Sequence, residues 1–108
     1  MKIALGIDSL DTPEDIAIYV EDGADEFFAG FVPPEWYNRY GWEVSLNRRE
    51  NGPEYQFTQY QQLERIISTI HSQNKEIVIA FNIHQYCDEQ IPLLQEIIFE
   101  VEKLNPDG

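Results

Sequence analysis

The segment Asn82-Ile83-His84-Gln85-Tyr86-Cys87 holds the densest set of chemically capable side chains in this sequence. A histidine and a cysteine three positions apart, His84 and Cys87, can act as base and nucleophile or as two ligands of one metal. Either role needs a third and a fourth group. No second Cys/His pair of matching spacing occurs elsewhere, so no metal centre is expected within this chain. The plainer reading of the segment is a polar turn capped by Asp88. Asn82 stands where an apolar run ends, and an amide there either orients a polar group of a substrate or satisfies loop backbone. The adjacent pair Arg48-Arg49 is the other candidate, because guanidinium groups suit bidentate bonds to a carboxylate or phosphate. Alternatively the two arginines neutralise neighbours in a chain where eight acids and no base lie from Asp8 to Glu26. Arg48, Arg49, Asn82, His84 and Cys87 together form the candidate substrate-binding set, with no catalytic residue assigned. His71 lies beside an apolar helix face and is expected to pack there or to serve the helix's C-terminal dipole.

The elements that must position these residues can be read from pattern. Residues 2–7 form a short apolar run that predicts a buried strand. Thr12, Pro13 and Asp15 have the spacing of a helix start with a capping box, and Ile16, Ala17, Tyr19 and Val20 supply its apolar stripe. Gly23 is placed to end that helix in the left-handed region. A second strand is predicted over residues 26–30. Thr58 with Gln61 three positions on reads as another capping box, opening a helix whose Leu63, Ile66, Ile67 and Ile70 fall on one face. Residues 76–82 are apolar without alternation, the pattern of a parallel strand buried on both faces. A last helix is expected over about residues 90–104, with Pro92 tolerated in its first turn. The order β-α-β-α-β-α predicts an α/β fold, three βα units with parallel strands and right-handed crossovers. A single domain over residues 1–108 accommodates it.

One connection breaks this regularity. Residues 31–57 carry little helix or strand signal yet hold half of the chain's aromatic residues and three of its seven bases. Pro34 to Tyr40 suits one short helix ended by Gly41. Trp36, Tyr37, Tyr40 and Trp42 either pack this long loop or line a substrate pocket. So many large rings predict an ordered excursion over one end of the sheet.

Composition bounds the partners. Seven Lys and Arg against twenty Asp and Glu leave a net charge of −13 on 108 residues. That balance argues against nucleic acid or an anionic membrane as a partner of this chain, because phosphates need cations opposite them. The apolar share of 43% is too high for a disordered acidic tail. A single cysteine excludes an internal disulfide and fits a reducing compartment, so a cytoplasmic location is expected. No apolar run is long enough to cross a bilayer. No glycine-rich phosphate loop or dinucleotide fingerprint follows any predicted strand.

Several motifs together resemble a known family. The stretch Glu21-Asp22-Gly23-Ala24-Asp25-Glu26-Phe27-Phe28-Ala29-Gly30 is similar to the second strand of the collagenase-like proteases of peptidase family U32, and Leu46-Asn47-Arg48-Arg49-Glu50 to the Arg-bearing segment that follows it. The helix opening at Thr58, with His71 near its end and Asn82 closing the next strand, matches in order and spacing, as does Gln90-Ile91-Pro92-Leu93-Leu94. The resemblance implies the N-terminal part of a TIM-type barrel. It further implies an intact parent that is a peptidase, or an enzyme linked to hydroxylation of RNA or quinone precursors with an iron–sulfur cluster. The chain departs from the family at Asp8-Ser9-Leu10-Asp11, where the pattern has Ala-Pro-Ala-Gly. No cofactor is expected in this chain itself, since one cysteine cannot hold a four-cysteine cluster. A (βα)₈ barrel uses about 31 residues per unit, so three units and an enlarged loop account for the length.

Two functions follow as expectations. The first is an N-terminal barrel fragment, inactive alone, whose parent acts on a peptide or small-molecule substrate. The alternative is a small acidic α/β module that self-associates through its open sheet edges or binds a partner.

Overall fold

A computed structural model describes residues 2–42, 46–47, 55–81 and 88–108. Three strands, β1 (Ala4–Ile7), β2 (Glu26–Gly30) and β3 (Glu76–Ala80), form one parallel sheet in the order β1-β2-β3. The register pairs Leu5 with Phe27 and Phe27 with Ile77, and one step on pairs Gly6 with Phe28 and Phe28 with Val78. Because side chains alternate across a strand, Leu5, Ile7, Phe27, Ala29, Ile77 and Ile79 share one face of the sheet. Ala4, Gly6, Glu26, Phe28, Glu76, Val78, Gly30 and Ala80 share the other. The first face is the core: Ile7, Phe27, Ala29, Ile77 and Ile79 are buried in one cluster with apolar residues of the helices. On the second face Ala4 and Glu76 are exposed and Phe28 retains 39% of its surface.

This corrects the expectation that β3 is buried on both faces, since its burial alternates residue by residue. The reason is the winding. β1 and β2 are each followed by a crossover to the next strand in the same direction, and right-handed crossovers of that kind land on the same side of a sheet. The helices α1 (Pro13–Glu21), α3 (Tyr60–Ser72) and α4 (Ile91–Glu102) therefore bury one face and leave the other open.

The N-terminus of α1 forms as its residue types dictate. The Thr12 hydroxyl accepts from the Asp15 N–H at 3.2 Å, and the Thr12 N–H donates to the Asp15 carboxylate at 2.9 Å. Gly23 follows the helix at φ +109°, open to glycine at little cost. Of the predicted stripe, Ile16 is buried and Tyr19 and Val20 are half-buried, while Ala17 is exposed. The α3 face is as its spacing predicts, with Leu63, Ile66, Ile67 and Ile70 all buried.

The start of α3 differs from expectation. Thr58 does not cap it; the cap position is Gln59, in extended conformation and without a side-chain hydrogen bond. Phe57 pairs with Phe31 in a parallel bridge, donating to the Gly30 carbonyl and accepting from the Val32 N–H. That bond keeps the chain extended past Thr58 and moves the first helical turn to Tyr60. A 3-10 turn at Asp88–Gln90 leads into α4, whose Pro92 lies in the first turn.

Within the long excursion, α2 (Pro34–Tyr40) forms as the sequence predicts and ends at Gly41, φ +72°. Trp36 is fully buried, and the Tyr37 and Trp42 rings stack at 4.9 Å. Beyond α4 the backbone of Asp107 and Gly108 bonds to Ile77 and Ile79 along the outer edge of β3. Among the described residues no helix is long and apolar enough to cross a membrane.

Candidate functional site

In parallel βα folds the loops leaving the C-terminal ends of the strands gather functional groups at one end of the sheet. After β1, the turn at residues 8–11 uses its own carboxylates. Asp8 accepts from the Leu10 N–H, and Asp11 accepts both the Asp8 N–H and, at 2.6 Å, the Tyr19 hydroxyl. The hydrogen bond to Asp11, with partial burial and nearby carboxylates, pushes the Tyr19 phenol up to about 12. Gln62 of α3 donates to the Ser9 carbonyl at 3.3 Å. A cleft of about 190 Å³ opens here between Ser9, Asp11, Phe57, Gln62 and Arg65.

After β2 the excursion is pinned by a pair of amides. Asn47 Nδ2 donates to Gln56 Oε1 at 2.9 Å, and Gln56 Nε2 donates back to Asn47 Oδ1 at 3.0 Å. Each residue is only 1% exposed. The pair sits on Gly30, where an added Cβ would stand 2.2 Å from Gln56 Oε1 and 2.8 Å from Asn47 Nδ2. By strand alternation that Cβ points to the open face, so the amides cover the last layer of this face beside Ala80. On the helix side, Phe31 meets the Tyr60 ring edge-on at 4.9 Å, and the Tyr60 hydroxyl donates to Glu35. Burial and the Glu35 carboxylate raise the Tyr60 phenol above its ordinary range.

The residues singled out by type, Arg48, Arg49, Asn82, His84 and Cys87, lie outside the described residues, although Asn47 and Phe81 beside them are placed at the C-terminal ends of β2 and β3. Among the described residues, no group of three or more His, Cys, Asp and Glu is arranged to hold a metal ion. His71 is remote from this end. It sits in the last turn of α3 and bonds Asp107 at 2.8 Å, in keeping with the structural role expected of it. Partial burial works against the Asp107 carboxylate, but the Ile77 N–H and His71 outweigh it and hold its pKa below the ordinary value.

Sequence reasoning missed Gly30, Asn47 and Gln56 as a unit. A trace is present in the chain: a glycine ends the second strand, and one amide stands at each end of the stretch that carries Arg48 and Arg49.

The model of peptidase family U32 matches residues 11–108, nearly the whole chain. The chain belongs to peptidase family U32. A search of curated proteins and a search of solved structures found no match. The family match contains all three helices of the core, the amide pair and both segments of candidate residues. It begins at Asp11, past most of the turn that departs from the family's pattern. In this family member, then, the first strand's loop is occupied by its own hydrogen bonds, and the excursion after β2 is the larger feature at the C-terminal end.

Proposed function

We propose that this chain supplies the first three βα units and part of the substrate-binding end of a barrel-type enzyme of peptidase family U32, acting on a peptide or on a modified-base or quinone precursor. The observation that carries this reading is the one-sided winding of the sheet, with α1, α3 and α4 on one face and the other face largely uncovered. A barrel arises when such a sheet continues until its first and last strands pair. The chain alone is inactive in this reading, because the open face of three strands does not enclose a site. In this reading Arg48 and Arg49 bind a carboxylate or phosphate of the substrate, and Asn82, His84 and Cys87 belong to the same substrate-binding set. The chain's single cysteine does not fit an iron–sulfur cluster held by four thiolates, so no step is routed through one here.

The test compares this chain with the product of its full reading frame in peptide-cleavage assays and in assays of precursor hydroxylation. Activity confined to the longer product, and a fall in its kcat/KM on the order of a hundredfold for Arg48→Ala/Arg49→Ala, supports the reading. Unchanged activity of that variant removes the two arginines from the site.

A second reading is favoured by a specific observation. The outer edge of β1 has no backbone partner among the described residues, and Phe28 stands exposed in the middle of the open face. The chain then self-associates, burying that face against another copy.

A further inference from the structure

We propose that the outer edge of β1 is a self-complementary interface, on which β1 of a second copy of this chain pairs antiparallel with Leu5 on the two-fold axis. The proposal rests on the self-association reading above and names the surface that reading would use.

The two edges of the sheet are not equivalent. On β3 the Ile77 carbonyl accepts the Asp107 N–H at 2.8 Å, and the Ile79 N–H donates to the Gly108 carbonyl at 3.0 Å. The Ile77 N–H donates to the Asp107 carboxylate, which His71 also holds. That edge is occupied. On β1 the Ile3 carbonyl and N–H turn toward β2, where they bond Asp25 and Glu26. Successive residues of a strand present their backbone groups to opposite sides, so Ala4 and Gly6 turn theirs outward. Nothing among the described residues bonds them. A row of unpaired N–H and C=O groups is a template for another strand, and neither of these residues has a side chain large enough to bar one.

The stretch around this edge reads Lys2-Ile3-Ala4-Leu5-Gly6-Ile7-Asp8. Laid antiparallel on itself about Leu5, it sets Ala4 opposite Gly6 of the second copy and Gly6 opposite Ala4 of the second copy. Each such pair exchanges two backbone bonds, which satisfies every outward group of the two residues. The same register sets Lys2 opposite Asp8 of the second copy, twice by symmetry and on one face of the joined sheet. Lys2 is exposed and has no ion pair among the described residues. Backbone pairing stops there, because the Asp8 N–H and carbonyl are already bonded to Asp11. A slip of two residues one way sets Ala4 against that engaged backbone. A slip the other way sets Lys2 against Gly6 and leaves both charges unmatched. Two copies of net charge −13 repel at long range, which favours the contact that joins opposite charges. With the edge of β3 occupied, the contact is isologous and closes as a dimer instead of growing into a filament.

The experiment follows the mass of the full chain by sedimentation across concentration, and a reversible dimer is expected. Ala4→Pro removes an outward N–H that the monomer does not use, and weakens the dimer on the order of tenfold or more. Lys2→Glu changes only an exposed side chain, and weakens it on the order of fivefold. The register is read by oxidation in a Cys87→Ser background. Leu5→Cys cross-links, because residues opposite each other at such a position stand about 4.5 Å apart at Cα, within disulfide reach. Ile3→Cys, about 13 Å from its own counterpart, does not. A dimer that Ala4→Pro leaves unchanged and Phe28→Thr dissolves overturns the edge and leaves self-association standing. A Leu5→Cys chain that still dimerises without cross-linking overturns the register, and the proposal with it. A chain that is monomeric at all concentrations overturns the proposal and the self-association reading together.

Discussion

Single residues here act mainly through hydrogen bonds that are either closed or left open. The Tyr40 hydroxyl is buried with no hydrogen-bond partner among the described residues, a loss that a folded chain carries as the full desolvation of that group. Tyr40→Phe keeps the ring against Trp36, 4.7 Å away, and removes the orphaned oxygen. It is expected to raise stability by about 1 kcal/mol, measured by urea unfolding. Asp107 shows the opposite case, a carboxylate whose charge is used by the Ile77 N–H and by His71. Its folded pKa is lowered, so its contribution is present above the ordinary carboxylate value near about 4 and is lost as pH falls through the lower folded value. Thermal melts from about pH 2 to pH 7 check this: Asp107→Asn is less stable than the wild type at neutral pH, and the gap closes in acid. Arg48 and His84 are candidates by chemical type alone and lie outside the described residues. The Asn47–Gln56 pair was not legible in sequence, because a hydrogen bond between side chains nine positions apart leaves no periodic mark.

At the level of elements, local rules were reliable where local atoms complete them. The Thr12 capping box formed because all its members lie within four residues. Thr12→Ala is expected to cost about 1 kcal/mol, seen as a lowered Tm with unchanged helix content at low temperature. The buried face of α3 was legible for the same reason, since four apolar residues at helical spacing need only one neighbouring surface. Its start was not. Thr58 and Gln61 have the residue types of a capping box, yet Phe57 is held extended by Phe31, a residue 26 positions earlier, and the local signal yields to that pairing. In β3 the sequence shows an unbroken apolar run, whereas burial alternates. Val78 and Ala80 are apolar on the less covered side of the sheet, where both are half-buried and Gly108 lies against Val78.

For the whole molecule, the one-sided winding determines what the chain can be. A doubly wound sheet would cover both faces and place a ligand where strand order reverses; this sheet has no reversal. In the two readings proposed above, its open face with Phe28 at the centre meets either further strands of a barrel or a second copy. Phe28→Thr separates these in the isolated chain. With 39% of its surface exposed, the side chain contributes only part of a full burial, so the cost to the monomer is held to about 1–2 kcal/mol. Light scattering then decides: a wild-type dimer that becomes monomeric in Phe28→Thr supports self-association, and a wild type that is monomeric at all concentrations sinks it.

The amino-acid sequence by itself determined the element order, the parallel α/β class, the acidic surface and the membership suggested by its motifs. Each of these depends on composition, short-range spacing or the order of residues along the chain. Only the tertiary structure decided which face of the sheet is covered, where α3 begins, and that Gly30, Asn47 and Gln56 act as one unit. Those features depend on contacts between positions far apart in the chain, on the hand of the crossovers and on the absence of a single Cβ. Chain order and residue type do not encode such distances until the chain has folded.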